Sequence, residues 1–239
     1  MSEIRERSAQ FYARVAGCIY LGAMAVSIFS QSYVLGRIVV PGSAAATAAN
    51  LAHSGGLFRV GIALDVVTFV SDVVIAWAFY GLLRSVDRAL ALLGAWLRIA
   101  DAAILAVTTV SGLVTLRLLS GADYLQAFNS EQLQGLARLF IGIRGLGFGV
   151  GFVFLGLGSA VLAYVLYRSR YVPRALAGWG IGASLLLALG SLAEMLSPWF
   201  SANVGIMYML PMFFYEVPLG AWFLLRGVSV PSVAAVPAR

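Results

Sequence analysis

The 239-residue sequence contains no lysine; all sixteen of its basic residues are arginine. Chemistry through a lysine ε-amine is therefore closed to it, and with it a retinal protein held by a Schiff base. A single cysteine, Cys18, leaves no partner for an internal disulfide. A single histidine, His53, has no Cys or His companion, which argues against a zinc or bis-histidine haem site within one chain. No motif implies a cofactor. Charge of either sign is scarce: charged residues make up 11% and hydrophobic residues 61%, with a mean hydropathy of +0.93. That balance excludes an ordinary soluble globular domain. The net charge of +6 does not point to nucleic acid, because the arginines bracket long apolar runs instead of gathering into one patch.

What is present in abundance is runs long enough to cross a bilayer. Six are expected: about 11–35, 57–83, 89–119, 136–167, 175–196 and 204–225. The expected class is an all-α, polytopic transmembrane bundle: a polar segment 1–10, a six-helix domain 11–228 and a disordered tail 229–239. The first run carries Ala23-Met24-Ala25, which resembles a signal-peptide cleavage site, but it is read as a retained first span. Residues 36–56 hold Pro41-Gly42-Ser43 and an alanine-rich stretch. Ser43 suits an N-cap, so a short interfacial helix is expected through Thr47 to about His53, too short to span. Ser130-Glu131 reads as the entry to the fourth span, and Pro173 as part of the first turn of the fifth.

Counting arginines orients the chain. With the N-terminus inside, ten lie in inner segments (Arg5, Arg7, Arg14, Arg84, Arg88, Arg168, Arg170, Arg174, Arg226, Arg239) and four outside (Arg37, Arg59, Arg117, Arg138). The bias predicts a plasma (inner) membrane protein with both termini cytoplasmic.

Against this apolar background the charges inside the spans stand out. Arg98 and Asp101 lie three residues apart on the third span and can share a face. Asp65, Thr68 and Asp72 share a face of the second. Glu216 lies between Pro211 and Pro218, which are expected to leave the carbonyls of Met207 and Phe214 free. Counted at about 1.5 Å per residue from the basic ends, Asp72, Arg98, Asp101 and Glu216 fall near mid-bilayer. Asp65, Arg144, Glu194 and Arg59 fall near the outer boundary, where they are expected to form a polar vestibule. Charges at such depths should face protein or water, not lipid. The fourth span carries Gly145, Gly147, Gly149, Gly151, Gly156 and Gly158; with no preceding strand they read as close helix packing, not as a dinucleotide loop.

Several stretches resemble an uncharacterised bacterial six-helix membrane family described only as a domain of unknown function. They are residues 40–50, Leu57-Phe58-Arg59, Leu82 through Val86, Leu97 through Ala102, Arg168 through Arg174, and Glu216 with Trp222 through Gly227. In that family's pattern an acid is usual where Ser43 stands and a glutamate where Asp101 stands. The resemblance covers about residues 11–228 and implies the fold and topology; it implies no chemistry.

Three midplane acids against one arginine set the functional expectations. The network either binds or transports a small cation, a proton or a cationic ligand, or it fixes helix register structurally. Arg98 is expected to pair with Asp72 or Glu216 as well as Asp101. An accessory subunit or homo-oligomer docking through the glycine-rich fourth span is a further expectation. A membrane-embedded enzyme using paired carboxylates is the remaining one, though no His-Glu-x-x-His, Gly-x-Ser-x-Gly or Gly-Asp signature is present.

Overall fold

The computed structural model describes residues 2–40 and 43–229, all-helical with no strand among them. Helix α1 (Ser2–Ile28) starts well before the apolar run, so the polar residues 2–10 form the first turns of the same helix. It passes into a seven-residue π-helical stretch, Phe29–Leu35, and ends in a short turn, α2 (Gly36–Ile38). Helix α3 (Ala44–Leu83) follows, then α4 (Arg88–Leu118), α5 (Ser130–Ser169) and α6 (Arg174–Leu196). A six-residue helix, α7 (Pro198–Asn203), and a 3₁₀ stretch, Gly205–Met209, lead into α8 (Leu210–Leu225). Among the described residues six helical segments are long and apolar enough to cross a membrane: Glu6–Ile38, His53–Leu83, Arg88–Leu118, Ser130–Ser169, Arg174–Leu196 and Gly205–Leu225. Large apolar side chains such as Val70, Trp96, Val107, Leu146 and Leu189 face outward from the bundle. The chain is a multi-pass membrane protein, and those side chains are its lipid face.

Local chemistry sets the ends. The Ala46 amide donates to Ser43 Oγ at 3.1 Å, so Ser43 is the N-cap of α3. The short helix expected after it exists, but it is not separate: α3 bends at Ser54 (φ −117°, ψ 26°) and continues into the second span. Its leading segment is held by Asn50, whose amide donates to the carbonyls of Arg37 and Ile38, and by Thr47, which accepts from the Val40 amide at 3.0 Å. Asp87 caps α4 through the Leu90 amide, and Asn129 with Gln132 forms a capping box for α5, one residue before the expected entry. Pro173 sits at the N-cap of α6 and not inside its first turn. Pro211 lies in the first turn of α8, where a missing amide costs nothing, so only Pro218 interrupts that helix.

The six spans pack as a ring. Each touches its sequence neighbour, and α8 touches both α6 and α1, which closes the circle. The closure is tight because two glycines meet: a Cβ on Gly17 would stand 2.6 Å from the Gly220 carbonyl oxygen and 2.8 Å from the Leu224 nitrogen. Gln10 ties the same edge, donating to the Val228 carbonyl at 2.6 Å and accepting from its amide at 3.1 Å. The Ser229 amide donates to the Tyr171 carbonyl. Residues 230–239, where most of the disordered tail was expected, and the Pro41-Gly42 turn lie outside the described residues.

The apolar core comes in two main parts. A large cluster runs from Ala9 and Val228 past Tyr20, Ile75 and Leu187 and, along α6 and α8, as far as Met212 and Tyr208. A smaller one, with Val34, Ile38, Leu51, Phe58, Ile62 and Ile141, closes the opposite end. The buried charges lie between them.

Candidate functional site

Arg98 projects from α4 into the centre of the ring and is 2% exposed. Its Nη2 donates to Asp72 Oδ1 on α3 at 2.8 Å. Its Nη1 donates to Ser159 Oγ on α5 at 2.8 Å and to the Tyr20 hydroxyl on α1 at 3.3 Å. Tyr20 in turn donates to Glu216 Oε1 on α8 at 2.9 Å. One guanidinium therefore reaches two carboxylates, Asp72 directly and Glu216 through a phenol, and the bonds join five helices, α1, α3, α4, α5 and α8. A planar fork with several donors suits this placement better than a lysine ammonium would.

Asp101 does not join in. It is fully buried, yet among the described residues neither carboxylate oxygen has a hydrogen-bond partner, and it makes no ion pair with Arg98. The expectation that the two would pair because they lie three residues apart is corrected here: Arg98 is drawn toward α3 and α1, and Asp101 faces α5. There Gly151 makes room for it, since a Cβ at that glycine would stand 2.6 Å from Asp101 Oδ1. Gly158 does the same for the Arg98 stem, with Arg98 Cγ at 3.2 Å and the Gly94 carbonyl oxygen at 3.0 Å from its would-be Cβ. Gly156 faces α6, against the backbone of Ser184 and Ala188. Gly147, Gly151, Gly156 and Gly158 are thus points of close helix packing within the bundle, two of them accommodating the buried charges, whereas Gly145 meets nothing within 4 Å among the described residues.

The four midplane residues and Asp65 line one cavity of about 250 Å³ inside the ring. Its remaining wall is aromatic and thioether-rich, with Phe69, Phe148 and Phe152 on one side and Met24, Met209 and Met212 on the other helices. Asp72 and Asp65, seven residues apart on α3, stand on one face and so both turn inward. The two expected layers are the lower and upper parts of a single hollow.

The upper layer comes together only in part. Arg144 on α5 forms a buried ion pair with Asp65, which also accepts from Ser30 Oγ at 2.8 Å and Gln31 Nε2 at 3.5 Å. Both partners lie in the π-helical stretch, a distortion that turns consecutive polar residues toward α3. Glu194 is elsewhere: it accepts from Tyr208 at 2.6 Å, and Ser191 adjoins the same hydroxyl. Arg59 is exposed and makes no ion pair among the described residues. Arg59, Arg144 and Glu194 do not line the cavity, so the expected four-residue vestibule is replaced by one paired site at Asp65. The sequence reading passed over Tyr20 and Ser159. A hydroxyl in the middle of an apolar span at the depth of a buried arginine was the only signal for either.

These features define the class: a six-span membrane protein whose ring of helices encloses a carboxylate-rich, aromatic-walled cavity. Residues 15–227 match the family described as Domain of unknown function (DUF4386), and the chain belongs to that family. No curated protein and no solved structure matches it.

Proposed function

We propose that the protein binds a small cation (a proton, an inorganic cation or a cationic organic ligand) at the midplane carboxylates, with Asp101 as the principal group. The observation that carries this reading is Asp101 itself, a buried carboxyl that lines a cavity and has no hydrogen-bond partner among the described residues. Native structures rarely leave such a group unsatisfied without an occupant or a role. Arg98 is already engaged by Asp72, Ser159 and Tyr20, so it positions the site and does not neutralise it. The Asp65–Arg144 pair, hydrogen-bonded by Ser30, is read as structural support. Transport is the natural extension of a cation site at mid-depth in a ring of six spans.

The test is a thermal-shift screen of purified protein against pH, metal cations and organic cations. Wild type should respond to at least one of them, and Asp101→Asn should lose that response while still melting cooperatively. Equal responses in the two proteins would remove the basis of the proposal.

The arginine distribution supports a plasma-membrane location with both termini cytoplasmic. In a Cys18→Ala background, Ser85→Cys should be shielded from an impermeant thiol reagent in intact cells and Ser120→Cys should be reactive. The opposite pattern would invert the topology.

A further inference from the structure

The cavity wall is incomplete on one side. α1 and α8 touch at Gly17 and Gly220, but beyond that point they diverge: the π-helical stretch packs on α3, and the 3₁₀ stretch that opens the sixth span packs on α6. Ile28 from α1 and Phe213 from α8 both line the cavity, and both are also exposed, at 48% and 39%, so the cavity opens between them. Ile28 stands ten residues short of Ile38 and Phe213 eight beyond Gly205, the far limits of their spans. The first of those segments, 33 residues, overshoots a hydrocarbon core of about 30 Å; counted from the inner ends instead, Phe213 lies roughly 18 Å from Leu225 and Ile28 roughly 25 Å from Phe11, both in the outer half of the core. The gap is therefore a slot facing hydrocarbon. Met207, Leu210 and Phe214, exposed beside it, are apolar as a lipid-facing rim requires.

The interior favours a particular chemistry. Among the described residues no three His, Cys, Asp or Glu gather as ligands for a metal ion. Asp101 instead shares the cavity with three aromatic rings, Phe69, Phe148 and Phe152; Phe69 lies 6.1 Å from Phe148, centroid to centroid, and the Arg144 guanidinium, 4.8 Å from the Phe148 centroid, shows that this ring already receives a cation on one face. Aromatic faces beside a carboxylate suit an organic ammonium, whose charge is diffuse and whose substituents are apolar.

We infer that the ligand is an amphiphilic organic monocation that enters from the bilayer through the slot between α1 and α8, setting its ammonium on Asp101 and its apolar body against Phe69, Phe148 and Phe152. This rests on the cation-site reading above and narrows it to a chemical class and a route. A cavity of this size takes a body of about one ring and a short chain.

The test uses full-length protein in lipid nanodiscs with tritiated trimethyl(3-phenylpropyl)ammonium as probe. Saturable binding is expected, weakened at least tenfold by Asp101→Asn and unaffected by Arg59→Gln. The neutral carbon isostere, 4,4-dimethyl-1-phenylpentane, should not compete. Ala23→Trp and Met209→Trp, which fill the slot from either side, should slow association at least tenfold; Ser27→Leu, a milder plug, should slow it in the same direction if the tryptophans disturb packing. Absence of probe binding, with protons or metal cations still shifting the melting of wild type but not of Asp101→Asn, overturns the organic ligand and leaves the cation site standing. Absence of any Asp101-dependent response overturns both. Effective competition by the neutral isostere overturns the ammonium–carboxylate contact, and unchanged association in every folded slot variant overturns lateral entry.

Discussion

Replacing Arg98 by methionine keeps the bulk of the stem and deletes the charge. The variant loses the bonds at 2.8 Å to Asp72 and Ser159 and the longer one at 3.3 Å to Tyr20. Hydrogen bonds to a charged group contribute about 1.5–3 kcal/mol each, so the first two alone suggest about 3–6 kcal/mol. The upper part of that range is not expected, because the Asp72 side chain is 16% exposed toward the cavity and water can solvate it there. The cost expected is about 3–5 kcal/mol, the usual penalty for stranding one member of a buried pair. For a chain of this length that corresponds to a fall in melting temperature of about 6–20 °C. Removing both charges, in Arg98→Met/Asp72→Leu, should restore at least about 2 kcal/mol, because apolar replacement of a whole buried pair is often close to neutral. Arg98→Lys should fall between, since one ammonium cannot span three helices. Thermal melting of the four proteins in one detergent, with refolding controls, measures the cycle. A double variant no more stable than Arg98→Met, or an Arg98→Met protein that melts with wild type, would refute the reasoning.

Other variants test other contacts. Gly156→Ala should destabilise by about 1–3 kcal/mol, because its new methyl meets the backbone of Ser184 and Ala188, whereas Gly145→Ala, with nothing within 4 Å, should melt within about 0.5 kcal/mol of wild type. Asp65→Asn should cost about 3–5 kcal/mol by stranding the buried Arg144, and Asp65→Asn/Arg144→Met should be milder; equal losses would show that the pair is not coupled. Glu194→Gln keeps an acceptor for Tyr208 and should melt close to wild type, so a large loss there would point to a role for that half-buried carboxylate that its geometry does not account for.

The spans were legible because each is a long apolar run bounded by arginines, turns or polar caps, and the caps at Ser43 and near Ser130 announced their helices. What composition could not locate was the distortion inside them. Nothing in Phe29–Leu35 marks a π-helix, and Ser54 reads as an ordinary small residue, yet the first turns Ser30 and Gln31 toward Asp65 and the second bends α3. Depth counting brought Asp72, Arg98, Asp101 and Glu216 to one level, and they do meet around one cavity. It could not resolve direction. Arg98 and Asp101 share a helix but face different neighbours, and Glu194 and Arg144 share a depth but face different sides of the ring. Rotation about each helix axis is settled by which neighbour offers space, here Gly151 and Gly158, and that information is distributed over six spans.

The contact between Gly17 and Gly220 has a consequence for biogenesis. Within the ring, α1 packs against α8, the last of these six spans to be made, so the ring stays open until α8 is synthesised. During that interval Tyr20 lacks Glu216, and the Gly17 face of α1 lies bare to lipid or to an insertion chaperone. Assembly is therefore completed only after translation has passed Gly220, and a chain cut short in α8 would present the translocation and quality-control machinery with five spans and an unclosed seam.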